Sequence, residues 1–533
     1  MFGSSRVSDV SQNPLAGIKK RIPQPRREFP DSEYARDVLA PEAERAESVL
    51  GDAIIDIYRS HILQLAEQRV IEPGDAGRAL SALRALPALD DERLDYALNR
   101  IDDRILAVSQ ELQLAHSTEE RVVTATRMIL RREILELDEA LIELRKALID
   151  VAGQHMTTLI LATANGQVVQ PTSLGHYLVA QVGPIARASS RVAEAYSRVN
   201  RSPLGAVSGM STAMPIRRSR VAEQLGFDGI IDNTFDAIAA TDDLSEIVST
   251  VGGLAIEVSR MLNDLSFWAR DDVGLIVPGD EYIHHARIQP QRRDPLVLEH
   301  LRLAFLAQVA APQTVATMLT GRHMLGTMTS RLTVFFRVVE LLAETRAAYH
   351  LLAKVVSTLA VHRSMVAHRS HRGFSTSSEL ADLLAIDFRF PADQARKLAE
   401  RVVLEWSEEG GEATTLTSEF IDTIALREIG REVGIEQEML AKCLSPKRFV
   451  ERRSEQGGPA PAAISAQIDR ATFAMNHDRG WVREQRAQIE GAIERLHERC
   501  QDVISDPAGA VRRSAGEPVA VKGDDTITDI QAT

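Results

Sequence analysis

Cysteine is nearly missing from this chain: 533 residues carry only Cys443 and Cys500, far apart and outside any CxxC spacing. That excludes a disulfide framework and a structural zinc site, and it suits a reducing compartment. The sequence also lacks any window approaching roughly 18 uninterrupted apolar residues, and no charged leader with an apolar run opens it, so neither membrane spanning nor secretion is expected. A cytoplasmic protein is expected instead. Positive charge is in deficit, with 62 Lys and Arg against 75 Asp and Glu and a formal net charge of -13. A general nucleic-acid binder should carry a basic footprint, so nucleic acid is not an expected partner. The one basic run, Lys19 to Arg27, is broken by Pro23 and Pro25 and reads as a solvated arm. Period-two alternation, the mark of a half-buried strand, is almost absent.

What the chain does contain is helix, with a hydrophobic fraction of 44% that supports a core. Thr118 to Ala152 holds no Gly or Pro, and Val122, Ala125, Ile129, Leu137, Leu141, Leu144, Leu148 and Val151 mark a helical face. Such a helix is about 50 Å long at 1.5 Å per residue. That is roughly three times the ordinary length. A second Gly- and Pro-free run covers Thr327 to Arg372, and a third helical pattern covers Leu244 to Asp271 with Val251-Gly252-Gly253 inside it. Long helices that are apolar on more than one side need more neighbours than one chain supplies. The class is therefore all-α, and a multi-chain bundle is predicted.

Composition divides the chain into a flexible N-terminal arm (1–41), an N-terminal helical domain (42–116), a central long-helix bundle (117–372), a C-terminal helical domain (373–500) and a disordered tail (501–533). The arm is Pro-, Arg- and Ser-rich without periodicity. Glu72-Pro73-Gly74-Asp75 and Leu86-Pro87 punctuate the second segment, and Gly457-Gly458-Pro459-Ala460-Pro461 breaks the fourth.

Ser202 to Asp236 reads SPLGAVSGMSTAMPIRRSRVAEQLGFDGIIDNTFD, and QPTSLGH occupies Gln170 to His176. SRMLNDLSFWARDDVG occupies Ser259 to Gly274, STSSELADLL occupies Ser375 to Leu384, and RRSEQGGPAP occupies Arg452 to Pro461. This colinear set, spanning roughly residues 42 to 475, resembles the argininosuccinate lyases of the fumarase/aspartase superfamily. The resemblance implies a three-domain subunit whose central helices form a 20-helix core in a homotetramer. It implies four active sites, each assembled from three subunits. It also implies anti-elimination of fumarate from a succinyl adduct without metal or other cofactor. There a base removes a proton beside a carboxylate, and an acid protonates the leaving nitrogen.

The positions that carry this chemistry are altered. The family's base is a serine on a loop reading GSSxMPxKxN. The matching stretch runs from His285 through Pro295, with Ala286 and Arg287 in both serine places. Alanine has no hydroxyl to transfer a proton. The THLQ histidine with its threonine falls on Ala164-Asn165-Gly166-Gln167, and SRNDQ falls on Ser117-Thr118-Glu119-Glu120-Arg121. The stretch resembling YNxDMQED, which implies contact with the arginine end of argininosuccinate, becomes Gly326 through Thr333. Glu119 and Glu120 suit the first turn of the long helix better than a base role.

The remaining polarity defines the candidate site. His284 and His285 are candidate catalytic groups because imidazole titrates near neutrality, though an exposed loop pair is the plainer reading. Arg287 and Arg292, with Arg293, can grip a carboxylate. Asn165, Gln167 and Asn233 are the other candidate substrate contacts, and His61 and Asp236 also match family positions. His362, His368 and His371, interleaved with arginines, are not spaced as ligands on one helical face, so no metal is expected. Two functions stay open. One is a carbon–nitrogen lyase, or the reverse addition enzyme, acting on a small anionic succinyl or dicarboxylate-type adduct other than argininosuccinate, as in specialised biosynthesis. The other is an inactive lyase homologue serving as a ligand-binding or structural scaffold.

Overall fold

The computed structural model describes residues 30–84, 110–321, 323–326, 328–362 and 373–515. The basic run at 19–27, Leu86-Pro87, His368 and His371 lie outside these residues. Two compact units divide the chain, one made by residues up to Leu114 together with the segment from Cys500, the other by Ala115 to Arg499.

In the first unit, α1 (Ala40–Glu67) begins with Pro41, whose fixed φ and missing N–H suit a helix start. A helical lead-in already covers Ser32–Leu39, capped by the Asp31 carboxylate on Glu33 N at 3.0 Å, so helix starts within the segment expected as a flexible arm. Ala43, Ala46, Leu50, Ala53, Ile54 and Ile57 form its buried stripe. In α2 (Pro73–Ala82), a side chain at Gly77 would meet Val503 O and Pro507 Cγ, each at 3.1 Å. The long terminal helix runs to Ser505 and another covers Pro507–Ala515, so residues 501–515 are helical where a disordered tail was expected. An anchored amphipathic segment orders on its neighbours although its own propensity is weak.

Five long helices dominate the second unit. These are α3 (Thr118–Gln154), α4 (Leu174–Val199), α7 (Asp242–Trp268), α8 (Leu296–Leu319) and α9 (Met328–Ser357). Two short helices, α5 (Arg218–Gln224) and α6 (Thr234–Ala239), lie between α4 and α7. Helix α3 packs against both α4 and α9, while α8 packs on α7. The α7–α8 crossing explains a glycine inside a helix: a Cβ at Gly252 would meet Pro312 Cγ at 2.6 Å. The run predicted from Thr327 to Arg372 ends as a helix at Ser357 and continues into a short strand.

Strands are few, as the missing alternation predicted. β1 (Leu159–Ala164) pairs with β2 (Gln167–Ser173), β4 (His284–His285) pairs with β5 (Arg293–Asp294), and β3 (Ile276–Val277) pairs with β6 (Ala360–Val361), all antiparallel. The later helices α10 (Ser377–Ile386), α11 (Ala392–Glu408) and α12 (Ser418–Ile429) enclose a separate cluster with Leu380, Leu384, Leu398, Val402, Ile421 and Ile424. Helices α13 (Gln437–Cys443) and α14 (Pro446–Glu451) lead to α15 (Pro461–Ser505), and α16 (Pro507–Ala515) follows.

The bundle buries charge as well as hydrocarbon. Arg131 donates to Asn200 Oδ1, Gly226 O and Leu225 O at 2.9, 3.0 and 2.6 Å, and its guanidinium lies 4.4 Å over the Phe227 ring. Burial lowers its pKa to about 10, so it stays charged near neutrality. Arg127 and Arg331 share Asp243 at 3.6 and 2.6 Å. Removing one member of such a set leaves an uncompensated buried charge.

Asp138 on α3 is only 1% exposed, and burial first, then Asp478, pushes its carboxyl up to about 7 against the opposing pull of Ser189 and Arg145. The folded chain therefore keeps a proton that the unfolded chain has lost. Stability falls as pH rises from about 4 to about 7. Asp138→Asn should raise the melting temperature by a few degrees at about pH 8 and change it little at about pH 4, read by thermal unfolding. An equal shift at both would contradict the assignment.

Candidate functional site

The start of α3 is built around one carboxylate. Ser117 is the N-cap, its hydroxyl accepting from Glu120 N at 3.3 Å while Glu120 Oε1 accepts from Ser117 N at 3.1 Å, a capping box. Glu120 is fully buried. Its Oε1 also accepts from His116 Nδ1 at 2.6 Å, and its Oε2 accepts from Gly205 N and Val207 N at 2.7 and 2.9 Å. A carboxylate only accepts, so Nδ1 of His116 carries the hydrogen. Burial and then Arg121 hold His116 well below the usual imidazole range, so it is neutral. The preference for a structural role at these acids is what the geometry shows for Glu120.

This grip bends the following loop. Gly205 has φ +85, and a side chain there would strike Arg218 Cγ at 2.5 Å. Val207 has φ +54 and Ser211 φ +60, conformations costly for residues with a Cβ, and most so for a β-branched one. Loop residues so held cluster at functional sites. Beside them, Glu119 Oε2 accepts from Ser208 Oγ at 3.2 Å, and Leu325 Cδ2 approaches within 3.4 Å of a Cβ built on Gly209. Ser208, Met210 and Leu325 were not singled out from sequence. The available signal was the Met324-Leu325 pair immediately before the altered YNxDMQED region.

Asn165 sits at the tip of the β1–β2 hairpin. Its φ is +51 and that of Gly166 is +74, the two left-handed residues of a type I′ turn, closed by the Ala164–Gln167 pair. Asn-Gly is the dipeptide this turn prefers. Asn165 and Gln167 are exposed, and among the described residues neither side chain takes a hydrogen bond. Asn233 has a job already, accepting from Phe235 N at 2.9 Å and Asp236 N at 3.1 Å as N-cap of α6.

The β4–β5 hairpin brings together the other candidates. His284 faces Asp294 and His285 faces Arg293 across the ladder, so the two imidazoles point to opposite faces. His284 Nδ1 lies 3.9 Å from Asp294 Oδ2, and Arg292 Nε donates to Asp294 Oδ1 at 2.8 Å. Arg293 pairs with Asp280. Arg287, exposed at the hairpin tip, has no ionic partner among the described residues. A cavity of about 640 Å³ is lined by Arg270, Gln289, Gln291, Arg292, Arg293 and His362; His284 and His285 are not among its walls. The site residues thus occupy three elements of one chain, and no hydrogen bond joins the three among the described residues.

Comparison with known proteins identifies the family. The profile of a family described as lyase matches residues 61–310. An argininosuccinate lyase of Methanoculleus marisnigri is 30% identical over 464 residues, covering 84% of this chain and 91% of that protein. The chain is an argininosuccinate-lyase-like member of the fumarase/aspartase superfamily. The argininosuccinate lyase of Methanosarcina acetivorans is 29% identical over 486 residues, covering 88% of this chain and 96% of its own. The fold is also that of a variant of EDDS lyase solved with bound fumarate, at a TM-score of 0.79 and 24% identity, covering 90% of this chain and 99% of that one. Among the described residues of this lyase homologue no helix is long and apolar enough to cross a membrane.

The turn at Asn165 separates architecture from chemistry. Asn165→Gly, which also accepts a left-handed φ, should leave the melting temperature unchanged, whereas Asn165→Val should cost about 1–2 kcal/mol. If Asn165→Gly keeps the fold but lowers substrate affinity, the amide contacts substrate as well as shaping the turn.

Proposed function

We propose that the chain is a carbon–nitrogen lyase, or the reverse addition enzyme, acting on a succinyl or dicarboxylate-type adduct other than argininosuccinate, as in specialised biosynthesis. The observation that carries this reading is the β4–β5 hairpin: Ala286 removes the hydroxyl, yet the same hairpin places an imidazole beside a carboxylate and an unpaired guanidinium at its tip. In the elimination, His284 takes the proton from the carbon next to a carboxylate, with Asp294 steadying the imidazolium. The electron pair moves into that carboxylate, whose developing charge Arg287 meets. The pair then returns to form the double bond of fumarate as the C–N bond breaks, and the departing nitrogen gains a proton. His285, on the opposite face, is the candidate acid if another copy of the chain completes the site.

A homotetramer fits this reading. Leu303, Leu306 and Val309 on α8 and Ile256 on α7 are exposed in the single chain, an apolar face of the kind that oligomers cover. Helices α3, α4, α7, α8 and α9, five from each chain, would supply the 20-helix core expected for four copies. The scaffold reading draws on Ala286 and on the employment of Asn165 in a turn. Asn165, Gln167 and Asn233 remain candidate substrate contacts only as surfaces offered to such a shared site.

The reading is checked by following fumarate absorbance, with fumarate plus a panel of amines in one direction and the corresponding N-succinyl adducts in the other. Turnover is expected. His284→Ala should lower kcat by about 10²–10⁴-fold, and Arg287→Ala should raise KM by about tenfold. No turnover in either direction across the panel would favour the scaffold.

A further inference from the structure

We infer that the amine partner of this lyase is an alkylammonium with an apolar chain, seated between Glu119 and the Met210–Met324–Leu325 surface. The inference rests on the lyase reading above and names the class of amine. Three observations place these groups together. Glu119 Oε2 meets Ser208 Oγ at 3.2 Å, Ser208 and Met210 flank Gly209, and a Cβ on Gly209 would lie 3.4 Å from Leu325 Cδ2. The loop between them is fixed on its other side, where Gly209 O accepts from Thr234 Oγ1 at 2.9 Å and Val207 N is held by Glu120.

Among Glu119, Ser208, Met210, Met324 and Leu325 the single charge is negative. Glu119 is half-buried at the first turn of α3 and has no cationic partner among the described residues, unlike Asp280 and Asp294, which are paired with arginines. On the two segments that meet at Gly209 the large exposed hydrophobic residues are Met210 at 69%, Met324 at 66% and Leu325 at 40%. Exposed residues of this kind, next to a strained loop, suit a ligand better than a solvent boundary. Methionine adapts to chains of varied shape.

The chemistry discriminates among amines. An ammonium is a compact group of three donors; Glu119 and Ser208 satisfy two and water the third. Its alkyl chain then leaves water over Leu325 and the two methionines. A guanidinium tail brings five donors that want a second planar acceptor, and in this surface they would lie unpaired against apolar groups. Affinity should rise about threefold to fourfold for each methylene covered.

Calorimetric binding of n-butylamine, n-pentylamine, n-hexylamine and agmatine to the full chain tests this, with turnover with fumarate measured separately. Affinity is expected to climb through the alkyl series and to favour n-hexylamine over agmatine by at least about tenfold. Glu119→Gln should weaken every alkylamine about tenfold or more with the chain-length trend intact. Leu325→Asn should flatten the trend with the charge contact intact. Agmatine binding tighter than n-hexylamine, a flat alkyl series, or full affinity in Glu119→Gln overturns the inference. Binding as expected without turnover of any amine leaves the surface established and instead overturns the lyase reading.

Discussion

A carboxylate taken out of water must find donors, and the way Glu120 finds them organises the site. Two come from its own helix start, Ser117 N and His116 Nδ1, and two from the loop that follows α4, Gly205 N and Val207 N. Four N–H donors hold the anion, at the expense of holding Val207 in a left-handed conformation. Loss of the carboxylate would leave two loop N–H groups without their acceptor, each a penalty of about 1–3 kcal/mol. The long helix and the loop are therefore one unit, and the Ser208–Met210 segment stands where it does because of it.

The same economy of position appears at the two hairpins. At the tip of β1–β2, turn geometry demands two residues with positive φ, and Asn165-Gly166 meets the demand. On β4–β5 the alternation of a strand assigns adjacent histidines to opposite faces, so His284 shares a face with Asp294 and His285 with Arg293. A shared role for both imidazoles at one carbon is thereby excluded within a single chain.

Charge in this protein works at two depths. Arg127, Arg131 and Arg331 are buried and spend their donors on carbonyls and on Asp243, tying α3 to α7 and α9. The hairpin arginines are exposed, and Arg292 and Arg293 are paired with Asp294 and Asp280, which leaves Arg287 as the hairpin cation open to an anionic group. Glu119 is its counterpart for a cation. A succinyl adduct of an amine carries both charges, and the two groups match them in kind.

The sequence by itself determined the helical class, the long central elements and the superfamily. Hydrophobic period, the absence of breakers and a colinear set of motifs are local properties that survive divergence of the chemistry. Thr118–Ala152 was legible as helix to within two residues of its end because no Gly, Pro or competing pattern interrupts it. The helix over Pro507–Ala515 was not, since its order comes from packing near α2 rather than from its own apolar content. Side-chain roles were the least legible. Asn165 read as a substitute for a catalytic group and Asn233 as a substrate contact, but backbone geometry made one a turn residue and the other a cap. Only the tertiary structure could bring Glu119, Ser208 and Leu325 together, because they lie on three segments far apart in the chain and nothing local records their contact.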